Sequence, residues 1–189
     1  MCDLGLASAA RHGQDEVSTI SSVRSLLSRN PKKIVEDPSL APAGVLLLLY
    51  PKDGEYCILL NKRSNTVEEH KGEISFPGGQ KDEADRAMLD TALRETHEEM
   101  GIHPRDVEVL GELDDVSTTS NFLISTFVGA IPLSYPFKPN DREVAEVIEL
   151  PISVLTDSGS VRDETRIVDG ELVSRQTYAY GGHLIFGAT

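Results

Sequence analysis

Gly78 to Ile102 reads GGQKDEADRAMLDTALRETHEEMGI, and the reading of Arg94-Glu95-Thr96-His97-Glu98-Glu99-Met100-Gly101-Ile102 within it decides the fold. Glu95, Glu98 and Glu99 crowd into a single helical turn. Their i,i+3 and i,i+4 steps put the carboxylates on one side, where like charges destabilise a helix by roughly 0.2–0.5 kcal/mol per pair. No lysine lies between them to relieve the repulsion. A hard divalent cation, Mg²⁺ or Mn²⁺, would relieve it, because such ions take carboxylate oxygens and usually arrive with phosphates.

On a helical wheel of about 100° per residue, Leu89, Ala92, Leu93, Thr96 and Met100 form one mainly apolar sector suited to packing on a sheet. Glu95 and Glu99 fall on its border and should look into the adjoining crevice, as candidate metal ligands, while Glu98 points nearly opposite. Arg94 lies one turn before Glu98 and can hold it, although Arg-before-Glu is the weaker order. Gly101 should stop the helix. Three acids alone read more readily as a solvated acidic face. The approach to the helix argues otherwise. Phe76-Pro77-Gly78-Gly79 follows an apolar alternation, and paired glycines let backbone pass close to a ligand. Strand, Gly-Gly turn and acid-rich helix make a site where carbonyls and carboxylates can share a metal.

These residues resemble the Nudix hydrolase box, GX5EX7REUXEEXGU with U a bulky aliphatic. Gly79, Asp85, Arg94, Glu95, Glu98, Glu99, Gly101 and Ile102 fall at its fixed positions. Asp85 replaces the first Glu, Thr96 the first aliphatic, and one extra residue separates Asp85 from Arg94. A second block, Leu59-Leu60-Asn61-Lys62-Arg63-Ser64 and then His70-Lys71-Gly72-Glu73-Ile74-Ser75-Phe76-Pro77-Gly78-Gly79, looks like the LLTXR(S/A)X3RX3GX3FPGG signature of the coenzyme A pyrophosphatase branch. The extra residue is also a habit of that branch. Asn61 departs from its Thr, and Glu68 stands where it has a second Arg. Glu143 to Pro151 resembles the strand after the branch's substrate loop, and Ile185 to Thr189 its closing segment. The resemblance covers roughly 40–189, leaving 1–38 as an N-terminal tail and helix ahead of a domain from 39 to 189. The branch usually continues into a helix where this sequence ends.

With 189 residues there is material for one domain with a substantial core. A net charge of −13 disfavours nucleic acid as a partner, since such surfaces are basic. Cys2 and Cys57 are far apart and imply no disulfide framework; Cys57 reads as a small buried hydrophobe. The opening residues lack a basic, apolar leader, and Gly44–Tyr50 is too short to cross a bilayer. The expectation is a cytoplasmic protein without membrane partners, with a homodimer left open.

Along the chain, Val17–Ser28 has helical spacing through Val17, Ile20, Val23, Leu26 and Leu27. Gly44–Tyr50 and Tyr56–Asn61 read as paired strands around the Pro51–Gly54 turn. Val107–Val116 and Phe122–Ile131 form a second pair, Glu143–Leu150 another strand, and Ile152–Leu155 a short helix. Arg166–Val168, Leu172–Tyr180 and His183–Gly187 complete the strands. Strands on either side of one long helix give an α+β pattern, and the resemblance implies the Nudix fold, a mixed β-sheet between helices.

The resemblance also implies the chemistry, hydrolysis of a nucleoside diphosphate linked to another moiety. Glu95 and Glu99 are expected as primary ligands of Mg²⁺ or Mn²⁺. Glu98 is expected either at a second metal or acting on the attacking water, and Arg94 as the residue orienting the acidic cluster. Of two glutamates outside the box, Glu146 is preferred over Glu143 as further ligand or base. Arg63, His70, Gly78 and Gly79 are the expected substrate contacts. Coenzyme A or an acyl-CoA leads as substrate. Glu68 keeps ADP-ribose, dinucleotides and nucleoside triphosphates in play, and a silent nucleotide-binding module is the remaining alternative.

Overall fold

The structure is a computed structural model, and it describes residues 19–64, 72–168 and 171–186. A helix, α1, covers 19–29. It is followed by β1 (Ala41–Lys52), β2 (Glu55–Arg63), β3 (Ile74–Ser75), β4 (Gly78–Gln80) and the central helix α2 (Met88–Met100). After a single 3₁₀ turn at Pro104–Asp106 come β5 (Glu108–Glu112), β6 (Val116–Ser117), β7 (Phe122–Ala130), β8 (Val144–Pro151) and α3 (Ile152–Thr156). The strands β9 (Val161–Val168), β10 (Glu171–Tyr180) and β11 (His183–Ile185) form a separate antiparallel sheet.

Apolar alternation builds the main sheet. β1 and β2 join through Asp53-Gly54, both at positive φ, a turn whose twist suits the strands it connects. Leu46, Leu48 and Tyr50 of β1, with Cys57 and Leu59 of β2, pack toward Ala92 and Met100 of α2. The intervening Leu49, Ile58 and Leu60 face the opposite layer, where Ile20, Val23 and Leu27 of α1 pack with Val154 and Tyr178. β1 and β7 pair in parallel while the other pairs are antiparallel. The result is the α+β arrangement expected, a mixed sheet between helices.

The register of the strands positions the site. β1 pairs with β2 only over Leu48–Lys52, and earlier it pairs with β4, Ala43–Val45 opposite Gln80–Gly78. β2, beyond Leu59, pairs with β3 at Asn61 and Lys62. The two long strands therefore diverge, and the segment 74–80 fills the wedge. The Pro77 carbonyl accepts the Leu46 N–H at 2.9 Å. This brings Gly78 and Gly79, which form strand β4 and not the expected turn, beneath α2.

Gly101 ends α2 in the left-handed region (φ 69°), its N–H bonded to the His97 carbonyl, as the sequence suggests. Several elements differ from expectation. The strand expected over Val107–Val116 is broken into β5 and β6, with a bulge between Val109 and Gly111 in its pairing to β7. β9 begins at Val161, five residues before the expected Arg166. Leu26, assigned to the apolar face of α1, is 59% exposed. Val17 and the segment 187–189 lie outside the described residues. Among the described residues no helix is long and apolar enough to cross a membrane.

Candidate active site

Glu99 is the buried centre of the acidic cluster, 2% exposed. Its Oε2 accepts the Asn61 amide at 2.8 Å and the Gly78 N–H at 3.1 Å, and its Oε1 lies 3.6 Å from Arg63 Nη1. Burial pushes its pKa up to about 7. The Gly78 N–H and Arg63 act in the other direction, and the charges of Glu95 and Glu143 add to the rise. Asn61 and Arg63 reach Glu99 because they continue the Cys57–Leu59 face of β2 toward α2. Arg63 Nε is buried without a hydrogen-bond partner.

Arg94 organises the outer carboxylates. Its Nε and Nη2 donate to the two oxygens of Asp85 at 3.1 and 3.0 Å, a bidentate pair. Its Nη1 donates to Glu95 at 2.8 Å and Glu98 at 3.1 Å, and Nη2 reaches the Gln80 carbonyl at 3.3 Å. Asp85 also accepts from Thr91 Oγ1 and the Asp82 N–H, both at 2.9 Å. The Arg94 guanidinium holds the Asp85 carboxyl well below the usual carboxylate range. Glu95 is raised by burial, opposed by Arg94 and reinforced by Glu98 and Glu143. Its carboxylate rests on the Gly79 backbone, where an added Cβ would come within 2.5 Å of it. Thr96, in place of an aliphatic, is fully buried and satisfies its hydroxyl on the Ala92 carbonyl at 2.7 Å.

The structure separates the two glutamates outside the helix. β8 carries a register shift between Lys62 and Arg63 of β2, so that Glu146 pairs with Lys62 and Val144 with Arg63. Glu146 shares alternation with Ile148 and Leu150, which face the α1 layer, away from α2. It contacts His183 Nε2 at 3.1 Å and Lys62 Nζ at 3.7 Å. The geometry thus sets Glu146, preferred from the sequence, apart from the α2 carboxylates. Glu143 is the one whose charge reaches Glu95 and Glu99. Asn140 brings it there: the Asn140 N–H bonds the Glu99 carbonyl at 2.8 Å, and its side chain donates to Glu143 at 2.8 Å. His70, Lys71 and Glu68 lie outside the described residues.

Among the described residues, no group of three or more His, Cys, Asp or Glu side chains converges as a ready ligand set. Arg94 draws Glu95 and Glu98 together instead. The donor chemistry nevertheless fits a hard divalent cation. Every donor is a carboxylate oxygen, and the charges of Glu95 and Glu143 reach the buried Glu99, whose one cationic contact among the described residues is Arg63 at 3.6 Å. A cleft of about 470 Å³ lined by Ile20, Arg24, Tyr56, Glu108 and Leu133 includes none of these residues.

Sequence reasoning missed Asn61, Ser75 and Asn140. Asn61 was visible only as a departure from a signature, although strand alternation places it on the Cys57–Leu59 face.

Residues 40–174 match the NUDIX domain family. An uncharacterised Nudix hydrolase, NudL, of Photorhabdus laumondii is 32% identical over 159 residues, which cover 84% of this chain and 83% of that protein. An uncharacterised NudL of Pectobacterium atrosepticum is 43% identical over 95 residues, half of each chain. Thus the chain spans about half the length of several curated relatives it matches. Among solved structures, RenU, a Nudix hydrolase from M. smegmatis, superposes with a TM-score of 0.52 at 22% identity, covering 61% of this chain and 73% of that one. A C. elegans Ap4A hydrolase gives 0.51 at 15%, covering 60% and 82%. At these identities the likeness concerns the fold. With the family match spanning most of the sequence and one relative aligned over most of its length, the chain belongs to the Nudix hydrolase family.

Proposed function

We propose that the protein is a divalent-metal-dependent pyrophosphohydrolase whose preferred substrate is coenzyme A or an acyl-CoA. Water cleaves the phosphoanhydride to give 3′,5′-ADP and (acyl-)4′-phosphopantetheine. The observation that carries the reading is Glu99, buried beside Gly78 of β4 and within reach of the charges of Glu95 and Glu143. Glu95, Glu99 and Glu98 would hold Mg²⁺ or Mn²⁺, which supplies charge neutralisation at the pyrophosphate oxygens. Arg94 fixes the acidic cluster through Asp85, so the carboxylates stay oriented between turnovers. Glu98, exposed on the outer face, or Glu143 takes the proton of the attacking water. Arg63, with a buried and unsatisfied Nε beside Glu99, is positioned to pair with a phosphate oxygen. Gly78 and Gly79 meet the substrate through their backbone, and His70 is a further substrate contact that the resemblance implies.

The choice of coenzyme A rests on the LLNKRS and GEISFPGG blocks. Glu68, an acid where the resembled branch carries a base, favours the second reading, a pyrophosphatase for ADP-ribose, a dinucleotide or a nucleoside triphosphate. Comparing kcat/KM for coenzyme A, dephospho-coenzyme A, ADP-ribose, a dinucleoside polyphosphate and ATP with Mg²⁺ and Mn²⁺ separates the two. Coenzyme A should lead; preference for ADP-ribose would remove the coenzyme A assignment.

A further inference from the structure

The Asn61 side chain joins two polar groups that otherwise have no reason to be linked. It is 1% exposed and directly follows the apolar core positions Leu59 and Leu60 of β2. Its amide nitrogen donates to Glu99 Oε2 at 2.8 Å, and its amide oxygen accepts from Ser75 Oγ at 2.9 Å. Ser75 lies in β3, which pairs with β2 directly opposite Asn61. Burying an amide costs free energy unless both ends are satisfied, and here both are. The Glu99 carboxylate settles the amide's orientation, since an oxygen turned toward it would oppose acceptor to acceptor, and the Ser75 hydroxyl then donates to the amide oxygen. Gly78 N–H supplies a second donor to the same Glu99 oxygen at 3.1 Å. Oε2 is therefore occupied by two donors, one from β2 and one from the segment between β1 and β2. Among the described residues, Oε1 has only the 3.6 Å approach of Arg63.

We propose that Asn61 is a positioning residue that, locked by Ser75, holds Glu99 by Oε2 and so presents Oε1 to the catalytic divalent cation. This rests on the metal-dependent reading above and adds to it the residue that aims its buried ligand. Groups that orient metal ligands typically contribute roughly 10–100-fold to metal affinity or activity.

The test is Mn²⁺ titration by calorimetry at pH 8 on apo protein, alongside Tm measured in EDTA. The variants are Asn61→Leu, which keeps the volume without the amide, Ser75→Ala, and Cys57→Ala. Cys57 is buried on the same face of β2, where it packs into the apolar cluster under α2. Asn61→Leu should weaken Mn²⁺ binding by roughly tenfold or more, and Ser75→Ala by several-fold. Cys57→Ala should lower Tm while leaving Kd unchanged. Wild-type Kd in the Asn61→Leu variant would overturn the proposal, as would a Kd that follows Tm through all three variants. If Asn61→Leu does not fold, Ser75→Ala decides on the same criterion. Absence of Mn²⁺ binding to the wild type would remove the metal-dependent reading and this inference with it. Normal wild-type binding with unaffected variants would remove this inference alone.

Discussion

Replacing Glu99 by Gln should stabilise the metal-free protein at alkaline pH while abolishing its metal-dependent activity. Glu99 is buried, and its pKa lies near 7 against an ordinary value of 4.5. Between these values the folded protein keeps a proton that the unfolded chain has released, so stability falls as pH rises from about 4.5 to about 7 and levels off above. A gap of about 2.5 pH units at about 1.4 kcal/mol each comes to roughly 3 kcal/mol. The neutral amide escapes that cost and can keep an acceptor toward Asn61 and Gly78, but it loses the attraction of Arg63. A net gain of about 2 kcal/mol at pH 8 remains, or about 4–8 °C in Tm for a chain of this size. Urea unfolding of both proteins in EDTA at pH 5 and pH 8 measures it. Glu99→Gln should match the wild type at pH 5 and exceed it at pH 8. A variant less stable by the same amount at both pH values would refute the reasoning, since Glu99 would then be a satisfied hydrogen-bonding group without a desolvation cost.

Arg94→Lys should lower both stability and turnover, by about 1–2 kcal/mol in unfolding free energy, because an ammonium cannot reproduce the two-pronged contact with Asp85 while also holding Glu95 and Glu98; wild-type urea midpoints would count against it. Gly79→Ala should displace Glu95 and cut kcat at least tenfold with a folded far-UV spectrum, since the new methyl would meet that carboxylate. Glu143→Gln should reduce kcat while Glu146→Gln leaves it within about twofold, and the reverse pattern would restore Glu146 to the site. Glu68→Arg should lower KM for coenzyme A several-fold and spare dephospho-coenzyme A, a charge change worth on the order of 1 kcal/mol; equal effects would mean residue 68 does not meet the 3′-phosphate.

Much of the scaffold was legible in the sequence because it follows from periodicity. The α2 wheel placed Ala92, Thr96 and Met100 inside and Glu98 outside against Arg94, while Glu99, put at the sheet border, is buried in the structure. The Gly101 stop and the Asp53-Gly54 hairpin are local signals, and both formed. What could not be read depends on pairing between distant segments. The divergence of β1 and β2 around residues 74–80 is a matter of register. So is the shift opposite Lys62 and Arg63 that turns Glu146 to the far face of the sheet. Glu143 enters the cluster through the Asn140 cap on the end of α2, a contact across more than forty positions. Asn61 could have been found: two residues beyond Leu59, it faces α2 by simple alternation, and a buried amide there needs a partner.

The most direct measurement is the initial rate of phosphoanhydride cleavage on the best substrate of the panel, titrated with Mn²⁺ from EDTA-treated enzyme, for wild type, Glu95→Gln and Glu99→Gln. The wild type should show no turnover in EDTA and a saturable rise with Mn²⁺, and both variants should fall by roughly 100-fold or more at saturating substrate. Turnover that persists in EDTA, or wild-type rates in both variants, would contradict the assignment of this acidic cluster as a metal-dependent hydrolytic centre.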